Sequence, residues 1–312
     1  MLTSVQITGR ASHVLVSIAL PVYNGEHFVG DAIESILSQD FTDFELVISD
    51  NASTDATGDI CRRFLARDPR IRYVRNAQNI GIAGNFTQSF GLISGRYFKW
   101  MMADDMLAPG YLRACVEILA ADSSIVLVTP KPVFVGEDGR TPLAYDADRG
   151  VFVGSYAGRP IESAAPYMAD RPSERFRGVL LSMPGRAINN FGSGLMRSEI
   201  VQRHLPYGPY IGSDKVFLAG LSLHGKLAMI DESLFVWRHH KAQFSRMSRG
   251  DGTKALTGVA RNGDAWQTRQ VREYARTVMA SPISRREKAR CLLAITEKMV
   301  QGAVRQVSLR GL

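Results

Sequence analysis

Two rhythms of apolar positions alternate along the first 130 residues. Short runs rich in β-branched residues at 14–20 (VLVSIAL), 44–49 and 71–74 read as strands. Between them, apolar residues recur at helical spacing: Phe28, Val29, Ala32, Ile33, Ile36 and Leu37, then Ile60, Phe64 and Leu65, then Phe86, Phe90 and Ile93. After three such alternations comes the run 97–102 (YFKWMM), bounded by Gly95 and by charge, which reads as a fourth, buried strand. A helix over 110–121 and a strand over 125–129 continue the series, with Pro21 expected to break the first strand. Strict alternation of this kind predicts an α/β fold, with a mainly parallel central sheet flanked by helices.

Beyond Pro130 the regularity fades into hairpins or loops punctuated by Gly136, Gly139, Pro142, Gly150 and Gly154. Helices are expected around 161–168 and 174–182, and a strand over 191–196 whose two glycines imply a close backbone approach. A helix over 214–223 and one or two strands over 227–237 follow. From about residue 250 the chain is helical and basic, with a break at Ser281 and Pro282.

With 312 residues, 45% hydrophobic and 22% charged, the chain has the composition of an ordinary soluble globular protein, so disorder and collagen-like structure are excluded. The net charge of +8 is concentrated at one end: residues 261–312 hold 11 Lys and Arg against 4 Asp and Glu, whereas residues 1–260 hold 27 against 26. No nucleic-acid recognition motif accompanies that tail, so no nucleic-acid partner is expected. Cys61, Cys115 and Cys291 are far apart and set in helix-like patterns, which gives neither a metal cluster nor a disulfide framework. Apolar runs are too short to span a bilayer and the first residues lack a signal-peptide pattern; the expected location is cytoplasmic.

Chemistry concentrates where strands end. Asp104 and Asp105 follow the 97–102 run directly, at the edge of an α/β sheet where ligands bind. Two adjacent acids in a partly dry cleft repel each other, so either one takes up a proton or a cation lies between them and a ligand. Asp ahead of Pro109 is also ordinary turn and cap chemistry. Asp50 similarly ends the second strand in the string SDNASTDAT, where Ser53 or Thr54 is placed to cap the next helix and Asp55 suits its positive end.

Six strings taken together, VSIALPVYNGE, FELVISDNASTDAT, NIGIAGN, GRYFKWMMADDML, GSDKVFLAGLSLHGKL and LFVWRHHKAQFS, resemble the family 2 glycosyltransferases in order and spacing over roughly residues 14–246. The resemblance implies a GT-A fold: a nucleotide-sugar-binding catalytic domain over 1–250, followed by a basic helical extension over 251–312. It implies that Pro21, Val22 and Tyr23 line the base pocket and that Asp50 accepts a hydrogen bond from the base. Asp105 would ligate Mn²⁺ or Mg²⁺, Asp104 would lie near the ribose, and Asp214 would be the general base of an inverting transfer.

His240, rather than His239, matches the family's late histidine that reaches the metal or diphosphate, with Gln243, Ser245 and Arg246 in the same loop. Asn189, Asn190, Phe191 and Gly192 would border the acceptor side, or form a simple turn. Two departures stand out. Ala103 occupies the place of an acid two positions before Asp105, and Lys215 and Gly220 stand where many members carry a further acid. A carboxylate at a helix start such as Asp214 is also expected to have a lowered pKa.

The implied partners are a uridine or thymidine diphosphate sugar and a saccharide or lipid-linked acceptor. A nucleotidyltransferase would need a glycine-rich, basic phosphate loop after the first strand, and PVYNGE is neither that nor GxGxxG. A binding module of the same fold without turnover is the other alternative. In the tail, Leu292, Ile295, Met299 and Ala303 form a stripe expected to pack on the catalytic domain; the sharper alternative is peripheral contact with an anionic membrane at its inner face.

Overall fold

The computed structural model describes residues 14–146, 148, 151–152, 165–182, 192–243, 247, 249–257 and 266–310. In chain order the elements are β1 (Val16–Val22), α1 (Val29–Leu37), β2 (Phe44–Asp50), α2 (Thr57–Leu65), β3 (Ile71–Arg75), α3 (Gly81–Phe90), β4 (Tyr97–Trp100), β5 (Met106–Leu107), α4 (Tyr111–Ala121) and β6 (Ile125–Val135). Then come β7 (Tyr145–Asp146), β8 (Val151–Phe152), α5 (Ala165–Met168), α6 (Pro172–Leu181), β9 (Leu195–Arg197), α7 (Ser198–Gln202) and α8 (Ser213–His224). The chain ends with β10 (Lys226–Arg238), α9 (Arg249–Thr257), α10 (Trp266–Ala280) and α11 (Arg285–Arg310).

One eight-stranded sheet, in the order β3-β2-β1-β4-β9-β6-β10-β5, organises the molecule, and β7 and β8 form a separate small hairpin. Pairing is parallel for β1 with β2 and β4, for β2 with β3, and for β6 with β10. It is antiparallel where β9 lies between β4 and β6 and where β5 meets β10. Because β9 opposes both neighbours, β4 and β6 run the same way. Six strands therefore end at one rim.

Several boundaries differ from expectation for identifiable reasons. Pro21 does not break β1; it pairs with Ser49 inside the strand, and the chain leaves the sheet only after Val22. β4 is shorter than the apolar run, since its ladder ends at Trp100, although the Met101 amide still donates to the Ala19 carbonyl at 2.8 Å. β6 is longer, continuing through Pro130 and Pro132 to Val135; β9 pairs with it only at Leu127 and Val128, so beyond that point one side needs no donor. The glycine strand is confined to Leu195–Arg197, with Gly192 and Gly194 in the turn before it.

Alternation within the strands feeds two cores. On one face Ile18, Leu20, Leu46, Ile48, Tyr97 and Met101 pack against α1, α2 and α4. On the other, Phe98 and Trp100 meet α6, α8 and the C-terminal helices, which contribute Tyr274, Val278, Cys291, Ala294 and Ile295. Trp100 centres this second core, its ring 5.4 Å from Phe86, 5.7 Å from Tyr207 and 5.5 Å from Phe217. Gly95, just before β4, sits so close to β1 that a Cβ would lie 2.6 Å from the Ser17 nitrogen, and no other residue fits there.

Candidate active site

The carboxyl-end rim gathers the sequence-predicted residues from separate elements. Val22 ends β1, with Tyr23 next to it; Asp50 ends β2; Asp104 and Asp105 form the turn after β4; His240 lies just past β10. Asp214 is in the first turn of α8, which runs down to Gly225 and the start of β10 at the opposite edge; the helix's N-terminal end is therefore at the same rim. Asn189, Asn190, Phe191, Ser245 and Arg246 lie outside the described residues.

On the β2–β3 side the polar groups are closely partnered. Asp50 is fully buried: its Oδ1 accepts the Ser53 amide at 2.8 Å, and its Oδ2 accepts the Tyr73 hydroxyl at 2.6 Å and Arg75 Nη1 at 2.7 Å. A carboxylate offers about four lone-pair directions, so roughly one remains. Exposed groups at this spot are Tyr23, 48% accessible, and the Arg75 side chain, 40% accessible; Pro21 and Val22 are buried beneath them. A chain of amides holds the neighbouring loops. Asn51 Oδ1 accepts the Ile80 amide at 2.9 Å, Asn51 Nδ2 donates to Asn79 Oδ1 at 2.9 Å, and Asn85 Nδ2 donates to the Ser49 carbonyl at 2.9 Å.

Neither Ser53 nor Thr54 caps α2, because the helix starts later, at Thr57. Ser53 Oγ instead accepts the Asn24 amide at 2.9 Å, tying the loop after β1 to the loop after β2. Asp55 does lie at the positive end: its Oδ1 accepts the Thr57 amide at 3.0 Å and its Oδ2 the Glu26 amide at 3.1 Å. Although burial opposes it, these hydrogen bonds hold the carboxyl below its ordinary range.

The β4–β10 side is built differently. Asp105 is buried, and its Oδ1 accepts the Arg238 amide at 3.1 Å. Burial first, and then the charge of Asp104, push its pKa well above the ordinary carboxylate value, against the opposing pull of Lys99 and Arg238, so the ionised form is disfavoured. Asp104 Oδ2 lies 3.0 Å from His240 Nε2, and the His240 ring is 4.5 Å from Phe28. His239 turns the other way, stacked on Trp237 at 6.0 Å and beside Phe134. Arg238 is threaded beneath, with Nη2 donating to Asp31 Oδ2 at 2.7 Å and its guanidinium 4.8 Å from the Phe28 ring. Gln243 Nε2 donates to the Arg238 carbonyl, fixing the loop after β10.

Among the described residues no group of three or more His, Cys, Asp or Glu forms a ready-made metal cage. Mn²⁺ and Mg²⁺ do not require one, since they are commonly held by one or two carboxylates plus waters and substrate phosphates. A buried Asp105 beside a half-buried Asp104, with an imidazole alongside, fits that mode.

Asp214 departs from expectation. A helix start was expected to lower its pKa, yet burial dominates and raises it above the ordinary value, against the opposing pull of Lys215. Tyr207 and Tyr274 feel the same charge: burial, and after it the Asp214 carboxylate, hold both hydroxyls above the usual phenol range. Tyr207 also touches Trp100, so the ring system under Asp214 connects to the strand that leads into Asp104 and Asp105.

Three further residues shape the rim: Tyr73, Arg75 and Lys99. Tyr73 and Arg75 are the alternating positions of IRYVR that point toward Asp50, a period-2 signal that β3 carries in plain view. Lys99 hides inside an apolar run. It is fully buried on β4, donates to the Ser193 carbonyl, and lies 4.7 Å from the Tyr111 ring and 5.0 Å from the Phe235 ring. Burial pulls its pKa down to about 7. It fastens the turn before β9 to the wall behind Asp105.

The protein-family model described as "Glycosyl transferase family 2" matches residues 17–192. A stretch of 111 residues, 36% of this chain, is 31% identical to an uncharacterized glycosyltransferase of Haemophilus influenzae and covers 34% of it. Over 114 residues, again 36% of the chain, it is 34% identical to 16% of the chondroitin synthase of Escherichia coli. The chain thus spans about a third or less of these curated relatives. Among solved structures, TarS 1-349 of S. aureus in complex with UDP-GlcNAc superposes with a TM-score of 0.65 at 13% identity, covering 91% of this chain and 72% of that one. That likeness is one of fold. The match over more than half of the chain, carried by the sheet and rim described above, makes this protein a member of glycosyltransferase family 2.

Proposed function

We propose that the protein is an inverting, metal-dependent glycosyltransferase that moves a sugar from a uridine or thymidine diphosphate donor to a hydroxyl of a saccharide or lipid-linked acceptor. The observation that carries this reading is the buried, cation-seeking Asp105 on the same rim as an Asp214 whose pKa is raised. Tyr23 offers an exposed ring on which a base can stack, and Asp50 keeps about one lone-pair direction for a base N–H, with Arg75 at the mouth.

Asp105, with Asp104 and His240 alongside, would hold Mn²⁺ or Mg²⁺, which supplies charge neutralisation for a diphosphate leaving group. Asp214 is the base. It takes the proton of the acceptor hydroxyl as that oxygen bonds to the anomeric carbon; the bond to the diphosphate breaks on the opposite side, and its electron pair leaves with the phosphate oxygen. A raised pKa makes Asp214 a stronger base than a surface carboxylate. Three buried, free cysteines suit a reducing, cytoplasmic setting.

Nucleoside diphosphate release from UDP- and dTDP-sugars, measured with and without Mn²⁺, tests the reading. Turnover that requires the cation and is lost in Asp105→Asn supports it. Donor binding without any turnover, across acceptors, would leave the non-catalytic binder in its place.

A further inference from the structure

The C-terminal helix carries a second apolar face that the catalytic domain does not use. Cys291, Ala294 and Ile295 are buried against α6 and α10, but Leu292 and Met299, from the stripe expected to pack inward, are 37% and 53% exposed. Beside them Leu293 is 70% and Val300 58% exposed. Every exposed residue from Ala289 to Val300, namely Ala289, Leu292, Leu293, Thr296, Met299 and Val300, is uncharged. Charged residues of that stretch are engaged elsewhere: Arg290 with Glu287, Glu297 with Arg177, and Lys298 with the Leu180 carbonyl. A solvent face would show the opposite pattern.

Charge and direction identify what the face meets. Arg285 and Arg286 are exposed at the foot of α11, and residues 261–312 carry 11 basic against 4 acidic residues, so a like-charged second copy is disfavoured and an anionic surface is favoured. No described helix is long and apolar enough to cross a membrane. α11 also rises toward the rim. It runs parallel to α6, with Glu287 at Ser173 and Lys298 at Leu180, and α6 starts at the lower edge, where Asp170 pairs with Lys226 at 3.0 Å.

We propose that the outward face of α11 lies in the headgroup region of an anionic bilayer and holds the rim, with Asp214, at the lipid surface. Leu292, Leu293, Met299 and Val300 enter the interface while Arg285 and Arg286 meet lipid phosphates. The inference is independent of turnover.

Co-sedimentation of the full chain with vesicles of phosphatidylglycerol and phosphatidylcholine, in about a 1:1 ratio, tests it. Binding is expected to fall about tenfold or more in Leu293→Glu/Val300→Glu and in Leu293→Gln/Val300→Gln. It should fall similarly in Arg285→Gln/Arg286→Gln and on pure phosphatidylcholine. Unchanged thermal unfolding and unchanged solution turnover of the donor in these surface variants separate this result from loss of fold or of catalysis. The proposal is overturned if the wild type does not bind anionic vesicles, or if binding survives the Glu pair. It is equally overturned if sedimentation velocity shows a dimer that the Glu pair dissolves while vesicle binding is unaffected.

Discussion

The β2–β3 half of the rim and the β4–β10 half each bury a carboxylate at a strand end, and they neutralise it in opposite ways. Asp50 is surrounded by donors from its own chain: the Ser53 amide, the Tyr73 hydroxyl and the Arg75 guanidinium. Asp105 has the Arg238 amide, a like-charged neighbour and a pKa pushed well up. The first half is complete as folded. In the proposed function the second is finished by a cation, which would be the physical difference between a wall that shapes a pocket and a seat that binds.

Asp105→Asn should break this contrast most visibly. Loss of the seat is expected to lower cation-dependent turnover by about a thousandfold or more. The same change should raise thermal stability of the metal-free protein at neutral pH, because it removes a charge that burial disfavours. The sign of the pH dependence follows. A carboxyl whose folded pKa is raised contributes most to stability below its unfolded value of 3.8, and that contribution is lost as pH climbs through the folded value. The stabilisation conferred by Mn²⁺ in thermal melts should therefore grow as pH rises, since proton and cation compete for Asp105. A melting shift with Mn²⁺ that is the same in wild type and Asp105→Asn would reject the seat.

Asp214→Asn sharpens the comparison on the acceptor side. Turnover is expected to fall about a hundred- to ten-thousandfold through kcat, with donor affinity unchanged. In the wild type, activity should rise with pH through a value above the ordinary carboxylate range, because burial lifts the Asp214 pKa. If the substitution instead raised the donor KM and left kcat alone, Asp214 would be a cap and not a base.

How much of this was readable beforehand differs between the halves. Strand and helix periods located β1 to β4 and α1 to α4 and placed Asp50, Asp104 and Asp105 at or just past strand ends, because the strands are continuous apolar runs buried on both faces and each helix carries one apolar stripe. The side-chain partners of Asp50 come from β3 and are 23 and 25 residues away in sequence; their alternation is visible there, but only the register of Ser49 and Asp50 against Val74 and Arg75 aims them at Asp50. The Arg238 amide that meets Asp105 is 133 residues distant, beyond any local signal. The direction of the Asp214 pKa shift runs against the helix-start expectation, since helix position is legible in a sequence while desolvation near Tyr207 and Tyr274 is not. The α11 stripe divides for a similar reason: Ile295 packs inward as expected while Leu292 and Met299 face outward, because apolar residues surround the helix and only packing decides which are covered.

Asp50→Ala probes the complete half, and its stability change should have the opposite sign to that of Asp105→Asn. Removing the carboxylate strands the Tyr73 hydroxyl and the Ser53 amide and leaves Arg75 only its bond to the Ser53 carbonyl, which is expected to cost about 2–4 kcal/mol in denaturant unfolding. Arg75→Ala should cost less, since that side chain is partly exposed and water can replace it. Were both halves to respond alike, with Asp50→Ala and Asp105→Asn each stabilising, the division of the rim into wall and seat would be mistaken.

The smallest expected effect is at His240. Its Nε2 meets Asp104 rather than Asp105, and its ring rests on Phe28, so it braces the outer carboxylate of the pair. If that is its main work, His240→Asn, which retains a donor, should lower apparent Mn²⁺ affinity only a few-fold, and His240→Ala about tenfold. In both, kcat at saturating cation should stay close to the wild-type value, because Asp214, the proposed base, is untouched. A loss in His240→Ala as deep as that of Asp105→Asn, unrelieved by excess cation, would mean that the imidazole bears on the reacting diphosphate itself, and the seat would then be shared across the ends of β4 and β10.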